Sequence, residues 1–201
     1  MPGFSDRSLW MSSKCLESLN RRWIQRLRTP RQGCPSRALP CAAMADIFEL
    51  LLTLDLRDEL SDDELAELQW HLGLGPKPET LRIVTEFPFV EEGEDGELVV
   101  EDDPQPLLGY HGEGFKVGGA LVSVLLRRER TPFGVWALTS RQEIHPDEFE
   151  LTGKLLSWLA SKVGDCHRRF DGSVDLGWTR FYESTDMKPL VVRDGMVMWP
   201  S

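Results

Sequence analysis

The chain has 201 residues and a formal net charge of −10, from 23 Lys and Arg against 33 Asp and Glu. Hydrophobic residues make up 41% and charged residues 28%, enough apolar side chain for a packed core and too much for wholesale disorder. No apolar run reaches the roughly 20 residues that span a bilayer, and the acidic balance argues against a general nucleic-acid binder, whose phosphate contacts need a basic surface.

The charge divides the chain. Residues 1–43 hold eight basic residues against Asp6 and Glu17, a net +6, which leaves 15 basic against 31 acidic residues, or −16, in 44–201. Three of the four cysteines (Cys15, Cys34, Cys41) also lie in the first segment. Cys166 alone cannot build a disulfide framework, so the acidic part reads as a protein of a reducing compartment and the expected location is cytoplasmic. Leu16, Leu19, Trp23 and Leu27 share one helical face among Arg21, Arg22, Arg26 and Arg28, a pattern that suits a targeting peptide or a membrane surface. The competing reading starts from Met44-Ala45-Asp46-Ile47, where the composition changes abruptly. It is preferred: residues 1–43 form a basic extension, disordered or not part of the native fold, and 44–201 form a single acidic α+β domain with no membrane role.

In chain order, Leu50, Leu52, Leu54 and Leu56 alternate as one face of a strand, with a helix from Asp46 as the competitor. Ser61-Asp62-Asp63-Glu64 is a capping box that opens a helix over 62–72, with Leu65, Leu68 and Leu72 buried and Gly73 at its left-handed end. Thr80–Phe87 reads as a strand stopped by Pro88. Residues 91–106 read as an acidic loop with a short strand at 98–101. Lys116–Arg128 reads as a strand buried on both faces, paired with Phe133–Arg141 through Thr131-Pro132. Pro146-Asp147-Glu148 opens a second helix that buries Phe149, Thr152, Leu156, Leu159 and Val163 and ends at Gly164. Trp178–Ser184 is a further strand. Leu190–Arg193 and Met196–Trp199 flank Asp194-Gly195, a strong type I′ hairpin signal. The predicted fold class is α+β: a two-layer sandwich of a mainly antiparallel sheet with two helices on one face, in a ferredoxin-like-related order with extra strands.

Most local motifs fail on their chemistry. Gly109–Lys116 lacks the Gly-Lys-Ser/Thr order of a phosphate loop, since Phe115 precedes Lys116 and Val117 follows it. His111-Gly112-Glu113 lacks the Pro-Cys-x-x-Cys half of a zinc deaminase. In the run 91–97, placing Gly96 at the sixth position of a calcium loop leaves Gly93 at the third and Asp102 at the twelfth. Cys166-His167 are sequence neighbours, which rarely form a nucleophile–base pair. No metal site and no cofactor are expected.

One row carries more. Strand alternation puts Trp178, Arg180 and Tyr182 on one side, opposite Thr179, Phe181 and Glu183. Arg141, with Thr139 and Ala137, falls on one side of its own strand. Aromatics and arginines on an open sheet face suit a second subunit, a planar or anionic small molecule, or cover by the terminal hairpin. The functional expectation is a non-catalytic interaction or small-ligand-binding module that self-associates through its sheet. A small-molecule enzyme, with His111, Arg141 and His145 drawn into one pocket, is the first alternative. An acidic inhibitor or immunity-type partner of a basic protein is the second.

Overall fold

Leucine alternation is realised in β1 (Phe48–Leu56), whose even positions Leu50, Leu52, Leu54 and Leu56 are all buried. The computed structural model describes residues 46–92, 97–129 and 135–200, all within one compact unit, Met44–Ser201. The amphipathic stretch 16–27 and the Thr131-Pro132 connection lie outside the described residues. Helix α1 (Asp62–His71) follows β1, then come β2 (Pro88–Glu92), β3 (Leu98–Asp102), β4 (Gly112–Glu113), β5 (Ala120–Arg127) and β6 (Trp136–Ile144). A single-turn 3-10 segment, Pro146–Glu148, leads into α2 (Phe149–Lys162), and another, Asp165–His167, leaves it; β7 (Val174–Phe181), β8 (Lys188–Arg193) and β9 (Met196–Met198) complete the chain. Seven strands form one sheet in the order β4-β5-β6-β1-β7-β8-β9, antiparallel throughout, and β2–β3 is a separate hairpin. This is the expected α+β architecture with a mainly antiparallel sheet and two helices.

One hydrophobic core joins the sheet to both helices: the β1 leucines, Leu138, Leu176 and Leu190 pack with Leu68 and Trp70 of α1 and with Leu155, Leu156 and Leu159 of α2. The capping box at α1 is formed, and Glu64 does more than cap. Its carboxylate also takes the Lys162 ammonium at 2.7 Å and the Trp158 Nε1–H at 3.3 Å, fastening α1 to the last turns of α2. Lys162 above all, with the Ser61 bonds, holds the Glu64 carboxyl down to about 2.

Four local readings are corrected. Thr80–Phe87 is not a strand: the N–H groups of Arg82, Ile83 and Val84 all donate to the carboxylate of Glu67, which is fully buried. Backbone donors spent on a side chain cannot build a ladder. Strand β5 is buried on one face only, since Val122, Val124 and Leu126 are exposed. Gly164 has φ −66°, so α2 ends without a left-handed residue, whereas Gly73 adopts φ +68° as expected. Strand β7 begins at Val174, not Trp178, because Leu176 is an extra residue in a bulge between Asp175 and Gly177. There Gly177 has φ +138°, and a Cβ would collide with the Leu51 carbonyl oxygen. The Asp194-Gly195 turn has φ +51° and +76°, as type I′ requires, and stands in open space.

These two glycines are therefore separable. In denaturant unfolding, Gly195→Ala should destabilise by about 1 kcal/mol through backbone strain alone. Gly177→Ala adds a clash with β1 and should destabilise by about 2–4 kcal/mol.

His71 supplies a second prediction. It is fully buried beside Trp70 and Phe87, its Nε2 lies 3.5 Å from Glu67 Oε1, and neither ring nitrogen has a hydrogen bond. Burial pushes it from 6.5 to about 4, against the pull of the Glu67 charge. The unfolded chain then binds the proton first as pH falls, so the stability held above pH 6.5 is lost progressively towards pH 4. Unfolding free energies of wild type and His71→Leu between pH 7 and 4 check this: the slope should flatten in the variant.

Candidate functional site

Register in the sheet follows from the β1 leucines. If even positions face the helices, Glu49, Leu51, Thr53 and Asp55 face away, and every strand paired with β1 inherits that division. Leu51 stands opposite both Arg141 and Trp178, and Glu49 opposite both Glu143 and Arg180. Of the expected row Trp178, Arg180 and Tyr182, the first two therefore lie on the outer face, with Thr179 buried behind them, while Tyr182 falls one residue past the end of β7. The same face carries Val122 and Val124 of β5, Arg141 of β6 and Met196 and Met198 beyond β8.

Glu49 is the centre of this face. Although on the side away from the helices, it is only 5% exposed. Arg141 Nε donates to its Oε1 at 2.6 Å, and Arg180 Nε donates to its Oε2. Burial alone would raise the Glu49 carboxyl, but the hydrogen bonds and charges of Arg180 and Arg141 outweigh it and hold the group below its ordinary value. Both guanidinium groups reach further. Arg141 donates to the carbonyls of Ala120 at 2.9 Å and Gly118 at 2.7 Å, and Arg180 to that of Ser184 at 3.2 Å. One carboxylate thus binds the three central strands and two loops.

The directly opposed acid, Glu143, is satisfied differently. The N–H groups of Phe115 (2.8 Å), Lys116 (2.6 Å) and Val117 (2.7 Å) converge on it. Three successive amides gripping an anion are a general device for phosphate. Here the anion is the chain's own carboxylate, so the glycine-rich stretch that resembles a phosphate loop is an internal clamp.

The remaining candidates are dispersed. Tyr182 follows β7, bonds Glu183 Oε1 at 2.7 Å and lies 5.2 Å from Lys116 Nζ. His111 donates Nε2–H to the Leu72 carbonyl at 2.9 Å, closing the end of α1. His145 accepts the Asp147 N–H at 3.2 Å and opens the turn before α2. His111, Arg141 and His145 each serve a different local bond. Glu49, Glu143 and the Asp55–His167 contact were missed by sequence reasoning. Strand alternation carried the signal for Glu49, since the period that sends the leucines inward sends it towards Arg180. The Asp55–His167 pairing, 112 residues apart for the bonded atoms, left no local signal.

Comparison with protein-family models, with curated proteins and with solved structures returns no match to this chain.

Removing one partner from a buried ion cluster strands the others. Glu49→Gln should lose about 3 kcal/mol at pH 7, the low end for such pairs, because the two arginines keep some solvent contact. The lowered Glu49 pKa makes this contribution fully present above pH 4.5 and lost as pH falls below it. Chemical unfolding of wild type and variant at pH 7 and 3.5 checks both points: the difference should shrink in acid.

Proposed function

We propose that the protein is a non-catalytic interaction module that pairs with a second copy of itself through the outer face of its sheet. The observation that carries this reading is the exposed apolar surface of that face. Trp178 is 46% exposed, Leu126 59%, Met196 66% and Met198 51%, with Val122 and Val124 also exposed. Soluble monomers rarely leave extended apolar patches of this kind uncovered.

Electrostatics favours a like partner. The domain as a whole is strongly acidic, so two copies should repel. On this face, however, four of the outward acids are already answered: Glu49 by Arg141 and Arg180, Asp55 by Arg128, Asp175 by Arg169, and Glu143 by three amides. Internally neutralised charges neither repel a copy nor attract a basic partner. Six strand spacings of about 4.8 Å make the sheet about 29 Å wide. That width suits a standard interface of about 800 Å² per partner. A two-fold contact would bring the same patch together from both copies. The reducing cytoplasm is the location that suits the exposed free thiol of Cys166.

Sedimentation velocity of the full chain across the micromolar range tests this. Wild type should sediment as a dimer, and the double variant Trp178→Glu, Leu126→Glu as a folded monomer with an unchanged far-ultraviolet circular dichroism spectrum. A wild type that stays monomeric throughout would overturn the reading.

A further inference from the structure

Beside the second-last residue of β1, three ligand-type side chains from distant parts of the chain converge. An Asp55 carboxylate oxygen, the Cys166 sulfur and a His167 ring nitrogen all lie within 4.8 Å of one another. The fold enforces this meeting. The Gly164 N–H donates to the Asp55 carbonyl at 2.8 Å, the Arg57 N–H to the Lys162 carbonyl at 2.9 Å, and the Asp55 N–H to His167 Nε2 at 3.0 Å. The turn Asp165–His167 is thereby fastened to β1, with Cys166 exposed and His167 half-buried.

We infer that Asp55, Cys166 and His167 bind one zinc ion, with a fourth position open to water. The donor set decides the metal. Thiolate and imidazole are borderline-soft ligands that suit zinc, whereas calcium and magnesium require oxygen cages. Zinc bonds of about 2.0–2.3 Å in a tetrahedron separate ligand atoms by roughly 3.5 Å, so side-chain rotations close the site. Charge balances as well. The Cys166 thiol gives its proton to solvent on binding, and thiolate and Asp55 carboxylate together neutralise the dication. Arg128 Nη1 donates to Asp55 Oδ1 at 2.6 Å, which orients the carboxylate and leaves Oδ2 for the metal. The other nearby cations, Arg57 and Arg168, are held by Asp165.

Binding has an internal competitor. In the metal-free arrangement His167 Nε2 accepts the Asp55 N–H, so Nδ1 carries the ring proton. A metal on Nε2 takes that lone pair. A metal on Nδ1 moves the proton to Nε2. Either way the Asp55 N–H loses its acceptor, so the affinity belongs in the micromolar range and not in that of a closed structural zinc site. The ion would replace a hydrogen bond as the tie between β1 and the turn after α2, whatever the outer sheet face does.

The test uses the full chain with Cys15, Cys34 and Cys41 changed to Ser, so that Cys166 is the sole thiol. Titration with cobalt(II) should give one bound ion per chain and a thiolate-to-cobalt charge-transfer band in the near ultraviolet. Zinc should displace the cobalt and raise the melting temperature. Cys166→Ser, at an exposed position, should keep the metal-free melting temperature, abolish the band and weaken zinc by about tenfold or more, and His167→Asn should weaken it similarly. No thiolate band, or equal zinc affinity in the parent and in Cys166→Ser, would overturn the assignment.

Discussion

Glu49 is the interaction on which the sheet depends. It sits on the central strand, buried on the face that has no helix, and its two oxygens are divided between Arg141 on one neighbouring strand and Arg180 on the other. The arginines' remaining N–H groups donate to backbone carbonyls at both ends of the cluster. A buried ion cluster of this kind is weak evidence for stability and better evidence for specificity. Any other register of β1 against β6 or β7 would put Glu49 opposite the wrong residues, and a slip of one residue would turn it into the leucine core.

The same chemistry recurs in the irregular segments. Glu67 on α1 takes the three amides of residues 82–84, and Glu143 on β6 takes those of residues 115–117. In each case a carboxylate on a regular element satisfies consecutive backbone donors of a loop that has no ladder of its own. Loops that would otherwise leave buried amides unpaired are thereby fixed to the frame. An acidic composition is thus partly structural, and the overall negative charge overstates what the sheet face presents to a partner.

Legibility in the sequence followed the range of the forces involved. The β1 leucines, the Ser61–Glu64 capping box, Gly73 and the Asp194-Gly195 turn are local devices, and each forms as expected. The outward placement of Trp178 and Arg180 followed from alternation with Phe181 set towards the helices, the same side on which Thr179 is buried. Residues 80–87 were misread because Glu67, more than a dozen positions away, takes their donors. The apolar run 120–126 was misread because its outward half faces no helix. Of the candidate site, Trp178, Arg180 and Arg141 meet on one face through strand pairing, while His111 and His145 were held elsewhere by bonds to a helix end and a turn.

Native-state amide hydrogen exchange on wild type and Glu49→Gln tests the central role of this clamp most directly. The account predicts that the amides of Phe48–Leu56 in the wild type exchange only through global unfolding, and that the substitution lowers protection in β1, β6 and β7 together by the same free energy. Loss of protection confined to residues 118–120 and 184, with β1 unchanged, would contradict it, because Glu49 would then be fastening loops and not the sheet.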